Sequence, residues 1–191
     1  VSPFNQNIDN KTQHRLKRRH QSACRLVYDQ FATPVYNLAY RMLQTPEDAQ
    51  DISQLSFITA FNKIEQWSGQ VSFGFWLRRI VINQALDLIR KNTPEVFADS
   101  DEQTLADLSQ PQLMTYDHGH DANYYLKSLS PMMRTIIWLY EVEGFTHQEI
   151  GDLFNRTESF SKSRLARAKH QLQQVLAANT STLKQRVNSY E

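Results

Sequence analysis

Apolar residues recur along this chain at steps of three and four, the period of amphipathic helices, and seldom alternate as strands require. The period predicts a first helix over Ala23–Leu43, with Leu26, Val27, Val35, Leu38, Ala39 and Met42 on its inner side and Pro34 within it. A second helix starts with Thr45 as N-cap and Pro46 in the first helical position. Glu47 and Asp48 follow in the first turn, where carboxylates meet the positive end of the helix dipole. It runs to about Gln66, and its apolar residues Ile52, Leu55, Phe57, Ile58, Phe61 and Ile64 point nearly all round. A helix resting on one core needs only a stripe. Either this one is buried on every side, or it serves a core on one side and a partner on the other. Trp67–Ser72, with Gly69, reads as a loop.

The next helix, Ser72–Lys91, divides into two faces. Leu77, Ile80, Val81, Ala85, Leu88 and Ile89 gather on one; Trp76, Arg79, Asn83, Asp87 and Arg90 line the other. Lys and Glu suit a solvated face better than a Trp set among Arg and Asn. An indole beside guanidinium and amide groups matches the stacking and hydrogen-bonding needs of nucleic-acid bases. A core helix with one half-buried Trp is the plainer alternative.

The pattern breaks between residues 92 and 122, where Pro94, Pro111 and acidic and amide residues make a linker, with a short helical turn near Thr104–Leu108. About 30 residues is too long for a loop within one compact domain, so the chain reads as two. Beyond it, Ser130 and Pro131 start a helix through Ile136, Ile137, Leu139 and Tyr140 that Gly144 stops. Thr146 and Glu149 form a capping-box pattern leading into Ile150, Leu153 and Phe154. After Asn155–Thr157 a longer helix runs from Glu158 to about Ala178, its inner stripe Leu165, Ala168, Leu172, Val175 and Leu176. The expected fold is all-α: a basic, flexible N-terminus (1–22), a helical domain (23–92), an acidic linker (93–122), a helix-turn-helix domain (123–178) and a C-terminal tail (179–191).

Net charge is only +1, but its distribution is informative. Residues 1–23 hold five Lys/Arg and one Asp, residues 92–126 seven Asp/Glu and no Lys or Arg, and residues 155–191 seven Lys/Arg and two Glu. A basic end beyond an acidic middle points to polyanion binding at the basic part. Cys24 is the only cysteine, so neither a disulfide framework nor a Cys-rich zinc site can form within the chain. No apolar run has membrane-spanning length, and the basic N-terminus lacks a signal peptide's apolar core. A cytoplasmic location is expected.

Two short helices joined by a tight turn, the second basic, describe a helix-turn-helix whose second helix enters the DNA major groove. Ser159, Lys162, Ser163 and Ala166 face away from the Leu165/Leu172 stripe, and Arg167 borders them. Small residues permit close approach to base edges, while Lys and Arg supply phosphate and guanine contacts. A helical hairpin with a solvated basic face is the alternative.

The order helical domain, acidic linker, helix-turn-helix, with TPEDAQDISQLSFITAF and FWLRRIVINQALDLIRK in the first part and LSPMMRTIIWLYEVEGFTHQEIGDLF and SKSRLARAKHQL in the second, resembles the bacterial sigma-70 family. The likeness is to its small extracytoplasmic-function (ECF) group, over about residues 24–91 and 126–177. It implies a promoter-specificity subunit of RNA polymerase, with no cofactor and no catalysis of its own. Region two of that family binds the β′ clamp helices through a D-x-x-Q-E-x-F surface, which maps to Asp51, Gln54 and Phe57; Leu55, Ile58 and Phe61 extend it. The family's W-L-x-R-I-x-x-N pattern, which captures the −10 element, matches Trp76, Leu77, Arg79, Ile80 and Asn83, and Asp87 and Arg90 continue that face. The loop around Gly69–Phe73 would hold a flipped base. Region four would bind the −35 element through Ser159, Lys162, Ser163, Arg164 and Arg167, with His147 and Gln148 at the DNA backbone.

Further partners implied are the β subunit and an anti-sigma factor, soluble or membrane-anchored, clamped over Asp51–Phe61 or the helix-turn-helix. The acidic linker would thread through polymerase as a DNA mimic. The chain departs from the pattern at four places: Leu55 stands where the family has Glu, Arg156 replaces an apolar turn residue, and Phe160-Ser161 replaces Thr-Val. The last change puts −35 specificity in question.

Two other functions compete. A stand-alone helix-turn-helix regulator would bind duplex DNA without polymerase. A metal-responsive interaction protein would use Asp117, His118, His120 and Asp121, whose side chains suit a transition metal but whose spacing is not that of an ordinary zinc site. No Gly-rich phosphate loop, nucleophile elbow or paired-carboxylate motif supports an enzyme.

Overall fold

The computed structural model describes residues 3–94 and 122–188, with side chains described over 3–94 and 125–178. The chain divides into two compact units, 1–94 and 95–191. The described residues form helices and short connections without strands. The linker with Thr104–Leu108, and the Asp117, His118, His120 and Asp121 group, lie outside the described residues.

The first unit comprises α1 (Asn10–Lys17), α2 (Gln21–Leu43), α3 (Pro46–Asn62), a single 3₁₀ turn (Ile64–Gln66) and α4 (Phe73–Asn92). Helices α2, α3 and α4 pack on one another around Val27, Phe31, Val35, Met42, Ala60, Phe73, Leu77, Val81 and Ala85, all nearly or wholly buried. Each fully buried Leu, Val, Phe or Met contributes roughly 1.5–3 kcal/mol. Pro34 sits inside α2 without ending it. Thr45 is the N-cap of α3 by backbone conformation, but its side chain makes no cap bond; the hydroxyl instead reaches Leu43 O at 3.4 Å. Leu26, expected inside, is exposed.

The N-terminus departs most from expectation. Residues 4–16 pack onto the first unit: Phe4, Ile8 and Leu16 are buried, and α1 is capped by Asp9, whose carboxylate accepts from Thr12 N at 2.6 Å. These bonds hold the Asp9 carboxyl below its usual pKa. Residues 4–7 form a strap across the start of α4. Gly74 N donates to Gln6 O (3.2 Å), Phe73 N to Asn7 Oδ1 (3.1 Å) and Ser72 Oγ to Phe4 O (3.4 Å). Gly74 makes this approach possible, since a Cβ there would lie 2.2 Å from Phe4 O. Three apolar anchors spread through a polar segment are too sparse to register as a periodic stripe.

The second unit comprises α5 (Ala122–Lys127), α6 (Pro131–Glu141), α7 (His147–Phe154) and α8 (Glu158–Asn188). Its core is Leu126, Leu129, Met132, Ile136, Leu139, Ile150, Phe154, Leu165 and Ala168. Ser130 caps α6 and Thr146–Glu149 close a reciprocal capping box on α7. Arg134 is buried, with Nε on Leu126 O (3.0 Å) and Nη2 on Leu129 O (2.9 Å), so one guanidinium satisfies two carbonyls at the end of α5. Burial pushes its pKa down to about 10, still protonated at neutral pH. Helix α8 continues to Asn188, through the segment expected as a tail, and Leu176 is exposed rather than part of the inner stripe.

Candidate nucleic-acid interface

Helix α4 is fixed on its inner side by Phe73, Leu77, Val81, Ile82, Ala85, Leu86 and Ile89. Ile82 and Leu86 are fully buried, whereas Ile80 and Leu88, assigned to the core from the sequence, are only half-buried. The inner face is thus turned slightly from the expected one, because α2 and α3 both cover it. On the outer side Arg79, Asn83 and Asp87 are exposed in one row at steps of four. Trp76 is half-buried, its ring 5.6 Å from that of Phe73, and Arg90 is held by Asp87 at 2.8 Å. Asn83 therefore stands as an exposed amide between Arg79 and Asp87, two turns along the helix from Trp76. Arg78 lies over the Phe75 ring at 4.8 Å, clear of this row.

The loop before α4 is part surface and part core. Ser68, Gly69, Gln70 and Val71 are exposed, with Gly69 at φ +79°, a conformation that favours glycine. Phe73, expected in the base-holding loop, is instead fully buried between Phe31 and Trp67. Trp67 is also buried, its indole N–H donating to Val71 O at 2.9 Å, which folds the loop back on itself.

Helix α3 has two distinct sides. Asp51, Gln54, Leu55 and Ile58 are exposed at steps of three, one and three; Phe61 is half-buried at the edge. Phe57, placed by resemblance on the polymerase-binding surface, is buried, its ring 4.9 Å from Tyr28 and 6.0 Å from Phe61. Six residues beyond Asp51, it falls on the other side of the helix. The exposed apolar groups there are Leu55, Ile58 and Tyr28. Sequence reasoning missed the polar bridge between α3 and α4. Gln84 Oε1 accepts from Ser56 Oγ (2.7 Å), and Gln84 Nε2 donates to Thr59 Oγ1 (2.7 Å). A mid-helix Gln gives no local signal of such a role.

In the second unit the turn between α7 and α8 is set by Asn155 in the left-handed region (φ 54°) and by Arg156 N donating to Gly151 O at 2.8 Å. Ser159, Lys162, Ser163, Ala166 and Arg167 are exposed on α8, and Gln148 is exposed on α7. Two of the candidates are engaged locally. Lys162 pairs with Glu158 at 2.7 Å, which lowers the Glu158 pKa, and Ser163 Oγ donates to Phe160 O at 3.0 Å. Arg164 is half-buried over the Phe160 ring at 5.5 Å, and Phe160 in turn lies 5.8 Å from Phe154.

The unusual Ser161 is fully buried, with its hydroxyl 3.1 Å from Nδ1 of His147. His147 stacks on Tyr140 at 4.4 Å. A buried hydroxyl with this one partner is best satisfied by donating to Nδ1, which leaves the imidazole proton on Nε2. His147 is thus part of the inner packing of the helix-turn-helix as well as a candidate backbone contact.

Residues 27–95 match the family model described as Sigma-70 region 2, and residues 124–172 match Sigma-70, region 4. The chain is 31% identical over 157 residues to an ECF RNA polymerase sigma factor, SigE, of Mycolicibacterium smegmatis, covering 80% of this chain and 61% of that protein. It is 28% identical over 173 residues to the ECF sigma factor SigW of Bacillus subtilis, covering 84% of this chain and 92% of the relative. Two solved structures share the fold. The sigma factor RpoE in complex with the anti-sigma factor NepR from Bartonella quintana superposes with a TM-score of 0.55 at 21% identity, over 80% of this chain and 96% of that one. CnrH in complex with the cytosolic domain of CnrY gives 0.53 at 18% identity, over 89% and 97%. With both regions present in order, the chain belongs to the sigma-70 family of RNA polymerase sigma factors, in its ECF group.

Proposed function

We propose that this chain is a promoter-specificity subunit that binds core RNA polymerase, recognises −10 and −35 elements and captures melted DNA. The observation that carries the reading is the exposed Arg79–Asn83 row beside a half-buried Trp76, in a chain that also holds a basic helix-turn-helix. Sigma factors are regulatory subunits; this one supplies binding energy and no chemistry.

Polymerase docks first, on Asp51, Gln54, Leu55 and Ile58, with Phe57 shaping that surface from beneath. The α8 surface of Ser159, Lys162, Ser163, Arg164 and Arg167, with His147 and Gln148, then holds duplex DNA at the −35 element. Much of that grip is to phosphates, so it weakens steeply with salt. Trp76, Arg79 and Asn83, continued by Asp87 and Arg90, take up unpaired bases at the −10 element. Unstacking costs a few kcal/mol per step, and an aromatic stack returns about 1–3 kcal/mol per base, so captured bases hold the bubble open without nucleotide hydrolysis by this chain. The site is cytoplasmic. No described helix is long and apolar enough to cross a membrane. An anti-sigma factor completes the partner set, covering the α3 surface or the helix-turn-helix.

The test is transcription from a defined promoter with core polymerase. Initiation above core alone supports the reading, and none overturns it. Asn83→Ala is expected to lower open-complex formation about tenfold, the size of one lost base contact, with core binding unchanged. Equal loss of both removes Asn83 from the DNA surface.

A further inference from the structure

Helix α1 carries a row of cations. Lys11, His14, Arg15 and Arg18 follow at steps of three, one and three, on a side turned away from the buried Thr12 and Leu16, and Arg19 and His20 continue the row into the next turn. All but Arg15 are exposed, and Arg15 is half-buried with Nη2 on Ser22 Oγ at 2.6 Å. Little neutralises them. Lys17 reaches Glu65 only at 3.9 Å, and Lys11 lies in the field of Asp9, whose carboxylate is engaged by Thr12. Arg18 and Arg19 have no carboxylate partner among the described residues.

The placement of this row is fixed. The strap that leads into α1 is bonded to Ser72, Phe73 and Gly74 at the start of α4, about one turn before Trp76 and two before Arg79. Helix α1 itself packs against the 3₁₀ turn Ile64–Gln66, which feeds directly into the exposed loop Ser68–Val71. Five Lys/Arg within residues 11–19 therefore border the loop and the helix end that take up unpaired bases.

We propose that α1 is a phosphate-binding element for promoter DNA, gripping the sugar–phosphate backbone that adjoins the bases held by α4. The inference rests on the proposed −10 role of α4. Its occupant is DNA because the row is cationic, borders the base-capturing end of α4 and offers only Lys, Arg and His, which grip phosphates without selecting a sequence. It adds affinity equally to all promoters and adds to their salt sensitivity.

The experiment uses holoenzyme assembled with the full chain and a fluorescent promoter fragment titrated across a salt series. The variant is Lys11→Gln/Arg18→Gln/Arg19→Asn; Asn at position 19 keeps the left-handed backbone (φ 57°) that Arg19 adopts. Each lost phosphate contact lowers the slope of log affinity against log salt by about 0.7–0.9, so the triple variant is expected to lose about 2–3 units of slope, with core-polymerase affinity and thermal midpoint unchanged. An unchanged slope while wild-type holoenzyme binds the promoter overturns this inference alone. A fall in core-polymerase affinity also overturns it, by assigning the row to polymerase. Wild-type holoenzyme that binds no better than core overturns the promoter reading as well.

Discussion

The two units hold their candidate DNA-binding helices in opposite ways. In the first, α4 is fixed from far along the chain: Asn7 and Phe4 bond to residues 66 and 68 positions later, and Gln84 reaches back 28 and 25 positions to Ser56 and Thr59. In the second, the start of α8 is bonded mainly to near neighbours, while its later turns reach Glu141 through Lys169 and Ser128 through Gln171. The capping box spans three residues, the Asn155 turn joins α7 to α8, and the His147–Ser161 contact spans fourteen. Substitutions on the first helix's support should act at a distance and cooperatively, and those at the start of the second locally.

Gly74→Ala is the strongest way to break this contrast. A Cβ 2.2 Å from Phe4 O must displace the strap, with an expected loss of about 3 kcal/mol, the upper range for overpacking. Chemical denaturation should show it, together with hydrogen-exchange release of residues 4–16. Protection retained there would mean the strap does not brace α4. Ser161→Ala is smaller. Loss of a buried hydroxyl–imidazole bond is expected to cost about 1 kcal/mol, and nitrogen NMR of His147 should shift from the Nε2–H form toward mixed tautomers. An unchanged tautomer would separate Ser161 from the ring.

Thr135→Val sharpens the comparison from the other side. The Thr135 Oγ1 is buried without a hydrogen-bond partner, so an apolar isostere is expected to raise stability by up to about 1 kcal/mol, read as a higher thermal midpoint of the second unit. The smallest effect is acid loosening of α1. Asp9 has its pKa lowered in the folded state by Thr12, so its contribution is complete above the unfolded carboxylate value of about 3.9 and fades as pH falls through the folded one. Residues 10–17 should lose exchange protection below about pH 4, and Asp9→Asn should flatten that dependence.

Legibility in the sequence followed the same division. Pro131 after Ser130, the Thr146–Glu149 box and the helical stripes are rules of short range, and they located the helix-turn-helix and most helix limits. The Trp76/Arg79/Asn83/Asp87 face was visible for the same reason. Gly74 and Asn7 were not, because a glycine inside a helical pattern and an amide in a polar stretch carry no mark of a partner nearly 70 positions away. The burial of Phe57 was not legible, because a motif records which residues occur together and not which way the helix turns them. Ser161 stood out as a departure, yet its partner His147 became visible only when α7 and α8 were brought together.

The strap also bears on the order in which the chain can fold as it is synthesised. Phe4 is among the first of these residues to leave the ribosome, but its seat at Gly74 follows 70 positions later (74 − 4). Until then Phe4, Ile8 and Leu16 have no completed core to enter, and the first unit closes in one late, non-local step. Such closures are slow compared with helix formation, and they leave apolar side chains open to chaperones or to self-association in the interval. The basic helix reaches its place only at that last step, so nascent chains that have not yet exposed residues 72–74 should lack it.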